Sequence, residues 1–254
     1  MNKLVLDKIQ EKREFSMLPE KDIHLAYGQF EKRQATEDEK IILTKELLRQ
    51  LFTAFVSPKL LSIKNKDEEW ILRKHISTRE RLPYYEEIYQ RIFKNYEKAS
   101  VIDLGAGING FSYKFFKEID INVDYTAIES VGQLVNLMNF YFKEKKLDGK
   151  AIHLSLFEKK EIMKIISKEK KPRIVFLFKV IDALESLKRD YSKELISFLI
   201  DFVDEIVLSF STKSLGGKEN FRVNRKWIID FIQENFEVRD DFEIGGERYF
   251  IFRK

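Results

Sequence analysis

The sequence predicts an α/β fold, a parallel doubly wound sheet preceded by a helical N-terminal region. Three observations carry this. Residues 1 to about 98 hold helical apolar stripes and no strand series. From residue 100, short apolar runs alternate with helical patterns, the signature of β-α-β units. The chain closes on two aromatic-rich runs on either side of Gly245-Gly246.

In the N-terminal part, Ile41-Ile42-Leu43, Leu47-Leu48 and Leu51-Phe52 form one helical stripe. A second uses positions 82, 85, 88, 89, 92 and 93, again at helical spacing. Pro58 and Pro83 punctuate, and Pro83 suits the first turn of a helix. Thr78 is positioned to cap that helix. Gly28 is the one glycine before residue 100, as expected of helices with short connections.

Strands are predicted at 101–104, 123–128, 151–154, 173–178 and 205–210. The unbroken apolar run Ile174-Val175-Phe176-Leu177-Phe178 reads as a strand buried on both faces. Helical patterns fall at 131–145, 159–168 and 192–202. Residues 236–244 and 248–252, joined by the glycine pair, form a hairpin-like finish. Five parallel strands and a terminal β-β unit make a seven-stranded, Rossmann-like sheet, the layout of a class I S-adenosylmethionine-dependent methyltransferase. The expected division is a helical domain over 1–98 and the methyltransferase-type fold over 99–254.

Composition bounds the chemistry. At 254 residues the chain suits one large domain or one ordinary domain with an appendage. Its 44% hydrophobic and 13% aromatic content is ample for a core. Cysteine is absent, which excludes disulfides, Cys-zinc sites, iron–sulfur clusters and cysteine nucleophiles. Three histidines (His24, His75, His153) argue against a multi-histidine metal site. A net charge of +4 on a chain that is 35% charged means that an acidic partner must be met by a local patch. No run approaches the ~18 apolar residues of a membrane span, and the charged N-terminus lacks a signal-type apolar region. A soluble, cytoplasmic protein that works without metal or membrane is expected.

Asp103-Leu104-Gly105-Ala106-Gly107-Ile108-Asn109-Gly110 follows the first strand. Glycines there admit torsions closed to other residues and let the backbone approach a ligand. In open α/β sheets, ligands bind beyond the carboxyl ends of the strands. Such a turn is also found as plain strand–helix connection. Two features favour a ligand: Asp103 precedes the turn, where a carboxylate can orient an ammonium, and Glu129 ends the second strand, where an acid can hold ribose hydroxyls. The Asp-Leu-Gly-x-Gly form lacks the dinucleotide Gly-x-Gly-x-x-Gly and the Walker Gly-Lys-Ser/Thr. It therefore favours S-adenosylmethionine over NAD or ATP. Phe178-Lys179 at the end of the fourth strand faces the methyl-transfer position in this architecture, and Lys179 is either a nucleic-acid contact or a solvated strand-end lysine. No Asn-Pro-Pro-Tyr or Asp-Pro-Pro-Tyr element is present, against amino-group methylation of adenine. The absence of cysteine closes the covalent route to pyrimidine C5.

After the fifth strand, Lys213-Ser214-Leu215-Gly216-Gly217-Lys218 suits phosphate contact. Arg222, Arg225 and Lys226 extend a basic patch, although charge runs are commonly just solvated faces. Upstream, Arg73 to Arg81 combines arginines able to grip a carboxylate with His75, which by itself reads more readily as a packed or capping histidine than as a catalytic base.

Taken together, these segments resemble the aminoglycoside-resistance 16S rRNA (guanine-N7) methyltransferases of the Arm/Rmt and Kgm/Sgm type. The matching pieces occur in family order. They are His75-Ile76-Ser77-Thr78-Arg79-Glu80-Arg81-Leu82, Asp103 to Asn109, Phe176 to Lys179 with Leu184-Glu185, Val207 to Phe210, Lys213 to Lys218, and Gly246-Glu247 with the following aromatic strand. They span residues 75 to 252, and residues 1 to 74 match as a helical, RNA-binding-type extension. The resemblance implies a methyl donor held by His75, Thr78, Arg79, Asp103, Gly105, Ala106, Gly107, Glu129, Leu156, Phe157 and Phe178. Within that set, Arg79 grips the methionine carboxylate, Glu129 holds the ribose, and Leu156 and Phe157 border the adenine. It places Lys179, Lys213 and Ser214 at the catalytic face. It implies S-adenosylmethionine as cofactor, the small ribosomal subunit and its 16S-type rRNA as partner, and a monomer. The chain departs from the family pattern at Ala106 for cysteine, Gly110 for proline and Glu129 for aspartate. Glu219-Asn220-Phe221 stands where Lys-Gly-Met is common. The alternatives are a methyltransferase of tRNA or a small molecule, and a non-catalytic ribosome-binding relative.

Overall fold

Seven strands form one sheet among residues 1–53, 67–212 and 225–254, which the computed structural model describes. They are β1 (Lys98–Leu104), β2 (Asn122–Glu129), β3 (Gly149–His153), β4 (Arg173–Phe178), β5 (Glu205–Ser211), β6 (Glu237–Ile244) and β7 (Glu247–Arg253), in the order β3-β2-β1-β4-β5-β7-β6. The first five are parallel. β7 runs antiparallel between β5 and β6. Gly245 and Gly246 at φ 62° and 81° make the tight turn that lets β7 fold back. The chain order reverses between β1 and β4, and there a crevice opens at the strands' carboxyl ends.

The helices before the sheet are α1 (Lys3–Gln10), α2 (Glu20–Gly28), α3 (Glu37–Leu48), α4 (Glu68–Leu72), α5 (Ile76–Arg81) and α6 (Tyr85–Ile92). Those within it are α7 (Tyr113–Glu118), α8 (Gly132–Lys145), α9 (Lys159–Ile166), α10 (Ile181–Leu187), α11 (Tyr191–Leu199) and α12 (Lys226–Asn235). Thr36 and Glu39 close a reciprocal capping box on α3. The stripe through Leu51-Phe52 continues past α3 as a π-helical turn, Arg49–Thr53. Pro83 sits in a 3₁₀ turn, Leu82–Tyr84, that leads into α6. Thr78 is not a cap. It lies inside α5, with its hydroxyl donating to the Leu72 carbonyl at 2.6 Å, and His75 holds the N-cap position. No helix among the described residues is long and apolar enough to cross a membrane.

Alternation along the strands divides the core into two layers. Val101, Ala127, Ile174, Phe176, Phe178 and Val207 face one side; Ile102, Ile128, Val175, Leu177 and Leu208 face the other. β4 contributes to both, as its unbroken apolar run predicts. The second layer is covered by α9 to α12. The first is covered by α6, α7 and α8, and its buried side chains are continuous with those of α1, α2 and α3. Tyr89 of α6 stacks on Phe116 with centroids 4.3 Å apart, and Tyr85 stacks on Phe115 at 4.9 Å. The helices before the sheet therefore share its core, which fixes them over one face and brings α2 and α5 to the crevice.

Candidate functional site

A cleft of about 510 Å³ opens beyond the carboxyl ends of β1, β2 and β4, closed on one side by α2 and α5. It brings together His75, Thr78, Asp103, Gly105, Ala106, Gly107, Glu129, Leu156, Phe157, Phe178 and Lys179. All were expected from the sequence. Arg79 is exposed and is not among the lining residues. Lys213 and Ser214 lie outside the described residues.

The turn after β1 owes its shape to glycine. Gly105 has φ 73°, and a Cβ there would come within 2.6 Å of Val180 Cγ2. Gly107 has φ 56°, and a Cβ would approach the His75 ring at 3.3 Å. The backbone thus runs directly beneath side chains from β4 and α5, where only glycine fits.

Three buried carboxyl groups surround this turn. Asp103 Oδ2 accepts from Tyr125 Oη at 2.5 Å and Asn109 Nδ2 at 2.7 Å, while Oδ1 has no hydrogen-bond partner among the described residues. Glu129 accepts from the Gly107 N–H at 2.7 Å and the Val131 N–H at 2.8 Å. Asp22 of α2 accepts the Ser155 hydroxyl at 2.5 Å. Burial pushes all three carboxyls above the usual carboxylate range, and the neighbouring Asp22 and Asp103 push Glu129 further. This side of the cleft is thus rich in buried acceptors. A ligand bearing ammonium, sulfonium and hydroxyl groups satisfies it. A phosphate does not, because the Gly107 N–H that would bind it is taken by Glu129.

The opposite rim is cationic and internally paired. Arg81 is buried and donates to Glu247 at 2.7 Å, Tyr249 Oη at 3.1 Å and Asn109 Oδ1 at 3.2 Å. Lys179, in the left-handed region at φ 55°, pairs with Glu80 at 2.8 Å and Glu247 at 3.2 Å. Glu247 also accepts the Ser209 hydroxyl. Burial opposes ionisation of Glu247, but Arg81 and Lys179 hold its carboxyl below the usual range. His75 is held neutral at about 4, chiefly by burial and then by Arg81 and Lys179. The Thr78 hydroxyl donates to the Leu72 carbonyl, and Thr78 lines the cleft.

The basic patch expected downstream is partly neutralised. Arg225 is buried and forked onto Asp182, with Nη2–Oδ2 at 2.6 Å, and Lys226 pairs with Asp230 at 2.5 Å. Sequence reasoning singled out no individual role for Asp22, Arg81 or Glu247. Arg81 and Glu247 stand within motifs already singled out, so their positions were visible. Asp22 gave no signal, since nothing local distinguishes it from other acids on charged helices.

The strand order, the glycine turn and the acidic cradle define the architecture of a class I S-adenosylmethionine-dependent methyltransferase. The chain belongs to the ribosomal RNA methyltransferase (FmrO) family, whose model matches residues 47–241. It is 26% identical over 258 residues to the 16S rRNA (guanine(1405)-N(7))-methyltransferase of Proteus mirabilis, covering 91% of this chain and 81% of that one. It is 24% identical over 240 residues to the enzyme of the same name from Micromonospora rosea, covering 83% and 81%. Among solved structures, the 16S rRNA methyltransferase RmtF in complex with S-adenosyl-L-homocysteine superposes with a TM-score of 0.81 at 20% identity, covering 100% of this chain and 99% of that one. RmtB superposes with 0.76 at 18%, covering 98% and 97%. At these identities the structural likeness is one of fold.

Proposed function

We propose that this chain methylates N7 of a guanine in the decoding region of 16S rRNA within the small ribosomal subunit, the modification that its family resemblance links to aminoglycoside resistance. The observation that carries the reading is the cradle of Asp22, Asp103 and Glu129, buried around a glycine turn whose amide is already occupied. It suits a cationic, hydroxyl-bearing donor. Bound there, S-adenosylmethionine supplies an electrophilic methyl group. Asp103 Oδ1 is the acceptor for its ammonium, Glu129 lies where the ribose is held, and Leu156 and Phe157 offer apolar surface to the adenine.

Guanine N7 carries an in-plane lone pair, so no residue has to remove a proton. This agrees with a cleft whose one histidine is neutral and whose carboxyls are engaged in binding. The protein's task is alignment of the acceptor and exclusion of water. A guanine inside folded rRNA must also be turned out of its stack, at a few kcal/mol. In this reading, Lys179, Lys213 and Ser214 face the presented base, and residues 1–98 cap the donor and grip rRNA phosphates. Arg79, exposed on α5, is placed to contact RNA rather than the donor's carboxylate. The protein acts as a cytoplasmic monomer.

The test is methylation of intact small subunits, naked 16S rRNA and tRNA in parallel, with primer-extension mapping of the modified nucleotide. A reverse-transcription stop at one decoding-region guanine in the small-subunit reaction is expected. Label entering tRNA but not the subunit overturns the substrate.

A further inference from the structure

Asp22 is an ionisable side chain in the cofactor cleft that no motif accounts for. It sits on α2, more than 80 residues before the first strand residue of the cleft, and is 1% exposed. Its Oδ1 accepts from Ser155 Oγ at 2.5 Å, and that hydroxyl in turn accepts from the Phe157 N–H at 3.1 Å. Its Oδ2 makes no hydrogen bond of ordinary geometry among the described residues, although the Ser130 hydroxyl lies beside the carboxyl and Asp22 lines the cleft. An acceptor buried without a donor is costly, and an apolar side chain would pack there without that cost. Oδ2 is therefore open to a donor from the ligand.

The sheet order identifies which donor. β1, β2 and β3 are adjacent; β1 and β2 each carry an acid at the carboxyl end, and α2 supplies one beside the end of β3. Asp103 belongs to β1 and Glu129 to β2; Asp22 is tied to Ser155, two residues beyond β3. The three acceptors form a row along the rim of the sheet. The reading above, on which this inference rests, gives the donor's ammonium to Asp103 and its ribose hydroxyls to Glu129. The one hydrogen-bond donor left on the ligand is the 6-amino group of adenine. Of the three buried acids, the one left is Asp22, and Leu156 and Phe157 line the same cleft.

We propose that Asp22 Oδ2 accepts a hydrogen bond from the exocyclic amine of the donor's adenine, and that an acid carried by the N-terminal helices thereby selects adenine over a 6-oxopurine. A 6-oxo group would set an oxygen against the carboxylate, leaving both acceptors unpaired. Ser155 acts as a positioning residue, fixing the carboxyl plane through Oδ1.

Calorimetry with the full chain tests this, using S-adenosylhomocysteine and S-inosylhomocysteine as probes. The wild-type protein is expected to bind the adenine form at least tenfold more tightly. In Asp22→Asn, whose amide can donate to a 6-oxo group, that ratio is expected to fall at least fivefold, with affinity for the inosine form unchanged or improved. Ser155→Ala is expected to lower the ratio less. A wild-type ratio near one overturns the proposal without recourse to any variant. So does an Asp22→Asn protein, folded by circular dichroism, that keeps the ratio or weakens both probes equally. If the wild-type chain binds neither probe, the cofactor reading itself fails and the proposal falls with it. That result is distinct from binding without discrimination.

Discussion

Arg81 and Glu247 form an ion pair of 2.7 Å between two side chains that are almost wholly buried. The pair joins α5 to the first residue of β7, 166 positions away. Arg81 also lies over the Phe178 ring at 4.5 Å, and Glu247 reaches Lys179 at 3.2 Å. One contact thus links a helix that precedes the sheet, the last strand and the rim of the donor cleft.

Removing one member of a buried pair costs up to about 3–5 kcal/mol, and Lys179, still 3.2 Å from Glu247, offsets part of that. Arg81→Met is expected to destabilise the protein on that scale in urea unfolding, and pairing it with Glu247→Gln to recover part of the loss. A single-variant change below about 1 kcal/mol would show that water screens the pair. Because Glu247 has a folded pKa below its unfolded one, its contribution is full above the ordinary carboxylate range and fades as acid protonates it.

His75 makes stability fall at a higher pH than carboxylates do. Its folded pKa is near 4 against 6.5 for a free imidazole, with burial the main cause. Between those values the unfolded chain binds the extra proton, so stability rises with pH across that window. The His75 contribution to the melting temperature is expected to drop as pH is lowered from 6.5 towards 4, against the opposite contribution of the raised carboxyls of Asp22, Asp103 and Glu129. In His75→Gln that slope is expected to be shallower, and an unchanged slope would assign it to other groups.

Gly105→Ala combines a left-handed torsion with a Cβ placed 2.6 Å from Val180 Cγ2. The turn must deform, and S-adenosylhomocysteine affinity is expected to fall at least tenfold by calorimetry, about 1.4 kcal/mol. Adding Val180→Ala removes the clash but not the torsional cost of about 1–2 kcal/mol. Partial recovery in the double variant is therefore expected, and full recovery would leave the torsion without effect.

Lys179 and Lys213 are expected to act on the RNA side. Lys179→Ala and Lys213→Ala should each lower the initial rate of small-subunit methylation at least tenfold while binding S-adenosylhomocysteine within threefold of wild type, about 0.7 kcal/mol. Equal loss of cofactor binding would move Lys179 to the donor side of the cleft.

The order of elements, the seven strands to within three residues at their ends, the glycine turn and an acid, Glu129, at the end of β2 were legible in the chain. Each is carried by neighbours in sequence: alternation for strands, glycine where φ is positive, an acid at a strand end. Thr78 and Arg79 show how packing, not the motif, decides where each side chain goes. Both belong to a distinctive motif, yet helix geometry turns Thr78 back onto Leu72 and leaves Arg79 exposed. Two positions on, Arg81 falls on the buried face.

Local patterning was sufficient for the class of fold and the class of cofactor, because periodicity and turn chemistry are properties of short stretches. The partners within the cleft were decided only by packing. Asp22 meets Ser155 across 133 positions, and Arg81 meets Glu247 across 166. No short-range signal encodes such pairings. They arise when the N-terminal helices bury their apolar faces on the same core as the sheet, and the acids and arginines between those faces are carried into the crevice.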